Sequence, residues 1–404
     1  MRAQALTDYI HCIHADIQTA DFFEGIWPIP NGVSLNSYIV KGEKTALIDL
    51  FRDWAGSSEQ FEEALSSIDI DFSGIDYLVM NHLEPDHSGW LREFREKNPR
   101  TEIISTKKGL DLVKSFYKID TGVRSVKDGD TLDLGGGKVL TFIEAPNVHW
   151  PETMLSWEAA SGTLFSCDAF GSYGALGDRV FDDQLNEKEH AFFEAESLRY
   201  YANIVSSFST FVERAIQKIA DLDIKCVAPS HGLIWRKEPK KIIDRYLTYA
   251  SWAKGPAEKN IAVIWGSMYG NTRAGVDAVL RGIEKEGVPY TLHQVPDENV
   301  SYVLAAAYRS SGLVIAMPTY EYAVFPPMAY VLDIFRRKHI FGKKALRIGS
   351  WGWVGGAKKE YDAALENLKW DSLDSFEWTG YPTEAEFTVL QERGQELARK
   401  VKNS

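Results

Sequence analysis

The stretch that decides the fold of the first half of the chain is Asn81-His82-Leu83-Glu84-Pro85-Asp86-His87, which directly follows the apolar run DYLVM at 76–80. Two imidazoles and two carboxylates fall within six residues, and they offer the nitrogen and oxygen ligands that transition metals bind. Because Pro85 interrupts a helix, we expect a turn whose side chains converge on one point. The stretch therefore predicts a metal-binding loop at the end of a strand.

Further candidate ligands follow other strand-like runs. His149 comes after KVLTFIEA at 138–145, Asp168 after TLFS at 163–166, and His231 after KCVA at 225–228. Loops at strand ends commonly carry functional side chains on a rigid scaffold. Together with the first loop they make seven candidate ligands, which is too many for one tetrahedral ion and is typical of two ions that share a carboxylate.

Composition limits the classes of function. The chain has 404 residues, with 45 Lys and Arg against 57 Asp and Glu, so that its formal net charge is −12. This acidity argues against nucleic acids and anionic membranes as partners. The hydrophobic fraction of 45% is that of a globular protein, and no apolar run is long enough to span a membrane.

The three cysteines, Cys12, Cys167 and Cys226, are far apart and form no CxxC pair. An odd number with this spacing predicts neither a disulfide framework nor a cysteine zinc site, and it indicates a reducing compartment. The first residues contain no apolar segment typical of a signal peptide. We therefore expect a cytoplasmic protein.

The chain divides at about residue 255, where Gly255-Pro256 follows a helix-like segment. We predict a first domain at 1–255 and a second at 256–404. Strand-like and helix-like runs alternate in the second domain, which predicts a doubly wound parallel sheet with its ligand beyond the carboxyl ends of the strands. The predicted strands are NIAVIWGS (260–267), YTLHQV (290–295), GLVIAMPTY (312–320), KALRIGSW (344–351) and FEWTGY (376–381).

Three loops at the ends of these strands are candidates for a flavin site. Ser267 to Thr272 opens a helix with hydroxyls, an amide and glycine, which is typical of a phosphate site, although a simple helix cap is the alternative. The chain contains neither GxGxxG nor GK[ST]. The candidate residues of this loop are Ser267, Met268, Tyr269, Gly270, Asn271 and Thr272.

The other two loops carry aromatic side chains that could stack on a flat ring, with core packing as the alternative for each aromatic alone. A phosphate loop together with two aromatic loops resembles flavodoxin and implies FMN. The candidate residues of these loops are Pro318, Thr319, Tyr320, Glu321, Tyr322, Ser350, Trp351, Gly352, Trp353, Val354, Gly355 and Gly356.

Taken together, the two motif sets resemble the flavodiiron protein family. H-x-E-x-D-H is similar to the H-x-H-x-D-H pattern of the metallo-β-lactamase fold, with Glu84 in place of the second histidine. A carboxylate in this position hardens the site and favours iron over zinc. The resemblance implies an α/β chain with an N-terminal metallo-β-lactamase-like αββα domain and a C-terminal flavodoxin-like doubly wound parallel sheet.

The resemblance also implies the cofactors and the role of each ligand. It implies FMN and two irons per chain, with no catalytic residue beyond the iron ligands. His82, Glu84 and His149 would bind one iron. Asp86, His87 and His231 would bind the other, and Asp168 would bridge the two.

The activity implied is that of an oxidoreductase. Electrons would enter at FMN, and the diiron site would reduce O2 to water, or alternatively NO to N2O. Because the sequence contains no CxxC and no added reductase domain, it is most similar to the methanogen members that oxidise reduced coenzyme F420, with a rubredoxin as the alternative donor. The resemblance also implies that the chain forms a head-to-tail homodimer or a dimer of such dimers.

Two functions of other classes stay open from the residues alone. The first domain could be a zinc hydrolase of the metallo-β-lactamase type, in which metal-bound hydroxide attacks an ester or amide. The chain could also be an electron-transfer or scaffold module with a structural metal. Glu84 and the flavin loops argue against the first, and seven mixed ligands argue against the second.

Overall fold

The computed structural model describes residues 1–18, 22–52 and 56–404. These residues form two compact units, of which unit 1 comprises Met1–Tyr201 and Thr210–Leu247, and unit 2 comprises Ala202–Ser209 and Thr248–Ser404. The division lies a little before the boundary predicted at 255. Within unit 2, the Asn203 amide of the segment 202–209 donates to the Ser301 carbonyl at 3.1 Å. The predicted bounds 1–255 and 256–404 stay a prediction.

Unit 1 is rich in short strands, as its alternating runs predict. The strands are β1 (Arg2–Ala5), β2 (Ile10–Ile17), β3 (Phe22–Phe23), β4 (Trp27–Pro28), β5 (Val33–Lys41), β6 (Thr45–Ile48), β7 (Tyr77–Val79), β8 (Glu102–Thr106), β9 (Val123–Val126), β10 (Thr131–Asp133), β11 (Val139–Glu144), β12 (Met154–Glu158), β13 (Thr163–Cys167) and β14 (Cys226–Pro229). The helices are α1 (Ser57–Ser66), α2 (Pro85–Ser88), α3 (Leu91–Lys97), α4 (Lys107–Leu112), α5 (Glu187–Tyr200), α6 (Ser209–Lys218) and α7 (Pro239–Trp252). Helices α6 and α7 each have residues in both units.

Two sheets form the centre of unit 1. Among the described residues, one sheet has the order β1-β2-β5-β6-β7-β8-β9 and the other the order β10-β11-β12-β13-β14. They meet face to face where the Tyr38 ring of β5 packs on Phe165 of β13 at 5.1 Å between centroids. The Tyr38 hydroxyl also donates to the Pro229 carbonyl at 2.6 Å. Because β7, β13 and β14 come together in this way, the loops that follow them lie close to one another.

Unit 2 alternates strands and helices, as its sequence predicts. The strands are β15 (Glu258–Trp265), β16 (Tyr290–Gln294), β17 (Ser310–Ala316), β18 (Thr319–Tyr320), β19 (Ala323–Val324), β20 (Lys344–Trp351), β21 (Asp371–Ser372) and β22 (Phe376–Thr379). The helices are α8 (Asn271–Glu286), α9 (Val300–Arg309), α10 (Pro326–Arg337), α11 (Ala357–Leu365) and α12 (Glu384–Lys402).

The sheet of unit 2 is parallel, with the order β16-β15-β17-β20 and then β22 beside β20. This is the 2-1-3-4-5 order of doubly wound sheets that bind a ligand where the winding reverses, between the first and third strands. Helices α8 and α12 bury Val279, Ile283 and Leu397 against one face of the sheet. The prediction of a doubly wound sheet is confirmed.

Lys343, just before β20, has a buried amino group in unit 2. This group donates to the carbonyls of Tyr308 and Ser310, both at 2.8 Å. Burial lowers the pKa of Lys343 to about 7, against roughly 10.4 in an unfolded chain. The folded protein therefore binds this proton less tightly than the unfolded chain does. The stability that this difference contributes is complete above the pKa of the unfolded chain, and it is lost as the pH falls through the pKa of the folded protein.

We therefore expect the free energy of unfolding of the unchanged protein, relative to Lys343→Met, to rise between pH 7 and pH 10, by up to about 1.4 kcal/mol per pH unit. Urea unfolding at several pH values measures this difference. The loss of the two hydrogen bonds adds an offset that does not depend on pH. Lys285→Met, at an exposed position of α8, is the matched control. A difference that does not change with pH would contradict the prediction.

Among the helices of the described residues, none combines the length and apolar character required to cross a lipid bilayer.

Candidate functional site

The structure brings the seven candidate metal ligands together in unit 1. They lie on loops and turns that follow β7, β11, β13 and β14. They form two adjoining groups, in each of which the potential ligand atoms lie within 4.8 Å of one another. The first group is His82, Glu84, His149 and Asp168, and the second is Asp86, His87 and His231.

The two oxygens of Asp168 face different groups. Its Oδ2 lies 3.0 Å from Nε2 of His149 and 3.5 Å from Nε2 of His82. Its Oδ1 lies 2.8 Å from Nε2 of His87 and 3.4 Å from Nε2 of His231. A carboxylate placed in this way can share its oxygens between two cations.

Glu84 and Asp86 complete the two groups from the first loop. Oε2 of Glu84 lies 2.9 Å from Nε2 of His149 and 3.3 Å from Nε2 of His82. The two Asp86 oxygens lie 3.4 Å from Nε2 of His87 and 3.2 Å from Nε2 of His231. Each group therefore combines two imidazoles with carboxylate oxygen.

Pro85 acts differently from the sequence-based expectation. It does not simply interrupt the helix but occupies the first position of the short helix α2, Pro85–Ser88. Proline is tolerated there because the first helical N–H has no partner within the helix. The result is a loop that presents His82 and Glu84, followed by one helical turn that presents Asp86 and His87.

The geometry of the two groups fits bound cations. Ligand atoms about 2.1 Å from one cation lie roughly 3.0–3.4 Å from one another, and most of the separations above are close to that range. Several buried ligand atoms also make no hydrogen bond of normal geometry with the described residues, among them both oxygens of Asp86 and Nε2 of His231. Buried polar atoms without partners are costly, and metal coordination would satisfy them.

The electrostatics of the two groups also favours bound cations. Burial alone would lower the pKa of His149, but its hydrogen bonds to Asp168 and Glu84 outweigh burial and raise the pKa to about 9. Burial likewise opposes charge on His231, yet Asp168 and Asp86 raise its pKa to about 10. The carboxylates thus attract positive charge to this centre, and divalent cations would supply that charge in place of protons.

The groups behind the ligands could not be found from sequence motifs. Oε1 of the buried Glu152 lies 2.8 Å from Nδ1 of His82, and the Leu83 N–H donates to the same oxygen at 3.1 Å. Nδ1 of His231 lies 2.8 Å from the Ser34 carbonyl oxygen. Asp49, which follows β6, accepts from the Asn81 N–H at 2.7 Å. Such partners orient metal-binding imidazoles. Glu152 is close in sequence to the ligand His149, but the residue that it contacts, His82, is 70 residues away.

A cavity of about 410 Å³ reaches the metal ligands from one side. Glu84 and Asp86 lie in its wall, so that one carboxylate of each group borders the same space. The apolar part of the wall is formed by Ile17, Phe22, Phe23, Ile29, Val33 and Leu35. The charged side chains of Glu24 and Arg52 also lie in the wall, so the lining is mixed, and the cavity is large enough to admit a small molecule to the ligand cluster.

The candidate flavin residues lie around a second cavity, in unit 2, of about 330 Å³. The cavity is at the carboxyl ends of β15, β17 and β20, where the order of the sheet predicts a ligand. The predicted residues in its wall are Ser267, Met268, Tyr269, Asn271, Thr272, Pro318, Thr319, Tyr320, Glu321, Ser350, Trp351, Gly352 and Trp353.

The phosphate-loop end of this cavity fits an anion. Helix α8 begins after Gly270, whose φ of 91° is in the left-handed region that favours glycine, and no side chain caps the helix. The N–H groups of its first turn can therefore bind a phosphate. The Ser267 hydroxyl accepts from the Gly270 N–H at 3.0 Å, and the Thr272 and Ser350 hydroxyls are 2.8 Å apart, which joins two of the loops.

Some predicted residues lie outside the wall of the cavity, namely Gly270, Tyr322, Val354, Gly355 and Gly356. Gly356 has a packing role instead, since a Cβ there would lie 2.2 Å from the Tyr322 carbonyl oxygen. The structure adds Gly380, which follows β22. A single glycine after a short strand gives no sequence signal for ligand binding.

Comparison with known proteins places the chain among redox proteins. The family described as "ODP family beta lactamase" matches residues 33–232. The chain is similar to an anaerobic nitric oxide reductase flavorubredoxin from Vibrio vulnificus, with 34% identity over 95% of this chain and 77% of that protein. It thus spans about three quarters of the length of that relative.

Solved structures agree over the whole chain. The rubredoxin oxygen:oxidoreductase from Desulfovibrio gigas has a TM-score of 0.93 and 27% identity, with 100% of this chain and 99% of that chain covered. The flavodiiron protein from Giardia intestinalis has a TM-score of 0.93 and 25% identity, with 100% and 97% covered. The predicted fold of both halves is confirmed.

Proposed function

The chain belongs to the flavodiiron protein family, whose members carry FMN and a diiron centre, and from this premise we propose that it reduces O2 to water with electrons that enter through FMN. The oxidoreductase class follows from the relatives above. The acceptor, the donor and the role of each residue are our proposals.

The observation that supports this function best is the position of Asp168 between the two ligand groups. We assign His82, Glu84 and His149 to one iron, Asp86, His87 and His231 to the other, and Asp168 to both. When bound, the iron pair would supply electrons to a diatomic molecule. The chain would hold the irons side by side, and the cavity at Glu84 and Asp86 would admit O2 to them.

In unit 2 we assign the phosphate of FMN to the first turn of α8 and its ring to the aromatic loops at Tyr320 and Trp351. FMN can take up electrons in pairs and pass them on singly, which suits a donor and an iron centre of different types. We propose that two chains associate head to tail, as a homodimer or a dimer of such dimers, so that the FMN of one chain serves the irons of its partner.

For the donor we propose reduced coenzyme F420. The rim of the flavin cavity carries Tyr269 and Trp353, exposed by 90% and 79% respectively. These uncharged, flat side chains suit stacking on an aromatic deazaflavin, since aromatic faces prefer offset stacking with other rings. With this donor, no separate electron-carrier protein is required.

The second candidate is reduction of NO to N2O, or of O2, with a rubredoxin-type donor. It is favoured by the names of the similar proteins, one a nitric oxide reductase flavorubredoxin and another a rubredoxin oxygen:oxidoreductase. The ligand set does not distinguish between the two diatomic acceptors.

The test is oxidation of reduced coenzyme F420 by the purified protein alone, with O2 as acceptor and peroxide measured among the products. We expect fast oxidation of the coenzyme, with O2 reduced to water and little peroxide formed. The same preparation is then assayed with NO and with a reduced rubredoxin. Failure to oxidise the coenzyme, in protein that holds both cofactors and turns over with rubredoxin, would overturn the F420 proposal and favour the second candidate.

Metal analysis tests the alternative of a zinc hydrolase. We expect about two irons and one FMN per chain when the protein is produced with iron available. Two zinc ions per chain that support ester or amide hydrolysis, with no redox turnover after iron loading, would contradict the proposed function.

We also propose a cytoplasmic location. Cys12, Cys167 and Cys226 are all buried and free of disulfide bonds. Free thiols are typical of reducing compartments.

A further inference from the structure

Glu152 is a buried carboxylate directly behind the metal-ligand cluster. Its Oε1 lies 2.8 Å from Nδ1 of His82, on the opposite side of the imidazole from the ligand atom Nε2. Both side chains are fully buried. The Leu83 N–H donates to the carboxylate of Glu152 at 3.1 Å, and the Thr106 hydroxyl donates to its backbone carbonyl at 2.9 Å. Glu152 is therefore held in place by groups other than His82.

The second ligand group has a different support. Nδ1 of His231 lies 2.8 Å from the carbonyl oxygen of Ser34, which carries no net charge. A carboxylate behind an imidazole makes its ligand nitrogen more basic than a neutral carbonyl does. The imidazoles of His82 and His231 thus differ in the charge behind them.

Resting on the proposed function, we propose that Glu152 is a positioning residue that acts on one of the two irons, the one held by His82. Through His82 it gives the iron held with Glu84 and His149 more electron density than a neutral group in its place would give. That iron is then harder to reduce than it would be with a neutral group behind His82. Glu152 also fixes the ring of His82 with Nε2 toward the metal.

The variant Glu152→Gln separates charge from shape, because a glutamine oxygen can still accept from Nδ1 of His82 and from the Leu83 N–H. Glu158→Gln is the matched control. Glu158 is also fully buried, and it accepts from the Tyr9 hydroxyl (2.9 Å) and the Ser161 N–H (2.8 Å) at the end of β12. Each variant removes one buried negative charge from unit 1, but only Glu152 lies behind a candidate metal ligand.

The measurement is Mössbauer spectroscopy of each variant loaded with ⁵⁷Fe, together with stepwise Fe(II) titration of the metal-free proteins. In Glu152→Gln we expect one of the two iron signals to change and that iron to reduce more readily, with about 10- to 100-fold weaker Fe(II) binding at one site. Glu158→Gln should match the unchanged protein. Equal changes at both irons, or none, would overturn the proposal.

Measurements on the unchanged protein distinguish a failure of this proposal from a failure of the function on which it rests. If it fails to bind two irons, the diiron assignment itself is wrong. If it binds two irons and Glu152→Gln leaves both signals unchanged, only the role of Glu152 is wrong. Glu152→Asp, which restores the charge on a shorter side chain, should recover part of the original spectrum.

Discussion

Replacing Asp168 with alanine is expected to abolish reduction of O2 or NO while FMN stays bound. Asp168 is the one carboxylate among the seven candidate ligands that lies against imidazoles of both groups, at 2.8 to 3.5 Å. Without it the first group loses one of two carboxylates, and the second keeps only Asp86. We expect turnover to fall by more than about 100-fold, beyond the effect typical of residues that only support a ligand.

Turnover, iron content and flavin content of Asp168→Ala are to be measured on the same preparation. Asp223→Ala is the control, since Asp223 is an exposed carboxylate of unit 1 whose side chain is 83% accessible. The control should keep full activity, two irons and FMN. If Asp168→Ala retains turnover with two irons bound, the assignment of Asp168 to both irons is wrong.

A negative charge in the phosphate loop should cost most of the FMN affinity. The Ser267 hydroxyl accepts from the Gly270 N–H at 3.0 Å in the wall of the flavin cavity. In Ser267→Asp a carboxylate oxygen can take over this bond, but it repels the phosphate. At about 4 Å and an effective dielectric constant of about 20, two unit charges repel by about 4 kcal/mol, so we expect roughly 100- to 1000-fold weaker FMN binding.

The control is Ser267→Asn, which has the shape of aspartate without its charge. We expect its FMN dissociation constant, measured by quenching of flavin fluorescence, to stay within about tenfold of that of the unchanged protein. The iron content of both variants should not change. Equal FMN affinity in the aspartate and asparagine variants would show that the phosphate is bound elsewhere.

The local order of the metal loop could be read from the sequence, but its geometry could not. Four potential ligands within six residues after an apolar run predict a metal loop, and the structure does place those side chains together. The sequence pattern predicts that Pro85 interrupts a helix, whereas in the structure it begins a helical turn. Glu152 follows the predicted ligand His149 by three residues, but its contact with His82, 70 residues away, depends on the packing of the two sheets.

The flavin loops show the same limit on a smaller scale. Strand ends in an alternating α/β sequence predict where a ligand binds, because parallel strands end on one edge of the sheet. Which residues of a loop face the ligand depends on backbone angles and on contacts between loops. Gly356, for example, packs against the backbone of Tyr322, and Gly380 enters the cavity wall from β22.

The sequence by itself determined the family, the two-part α/β fold and the residue types at the metal centre, because these depend on local patterns of apolar runs, turns and ligand-bearing side chains. Only the tertiary structure decided which oxygen of Asp168 faces which imidazoles and which groups support His82 and His231. It also decided that Ala202–Ser209 belongs with unit 2. These features depend on distances between residues far apart in the chain, which packing sets and local sequence does not encode.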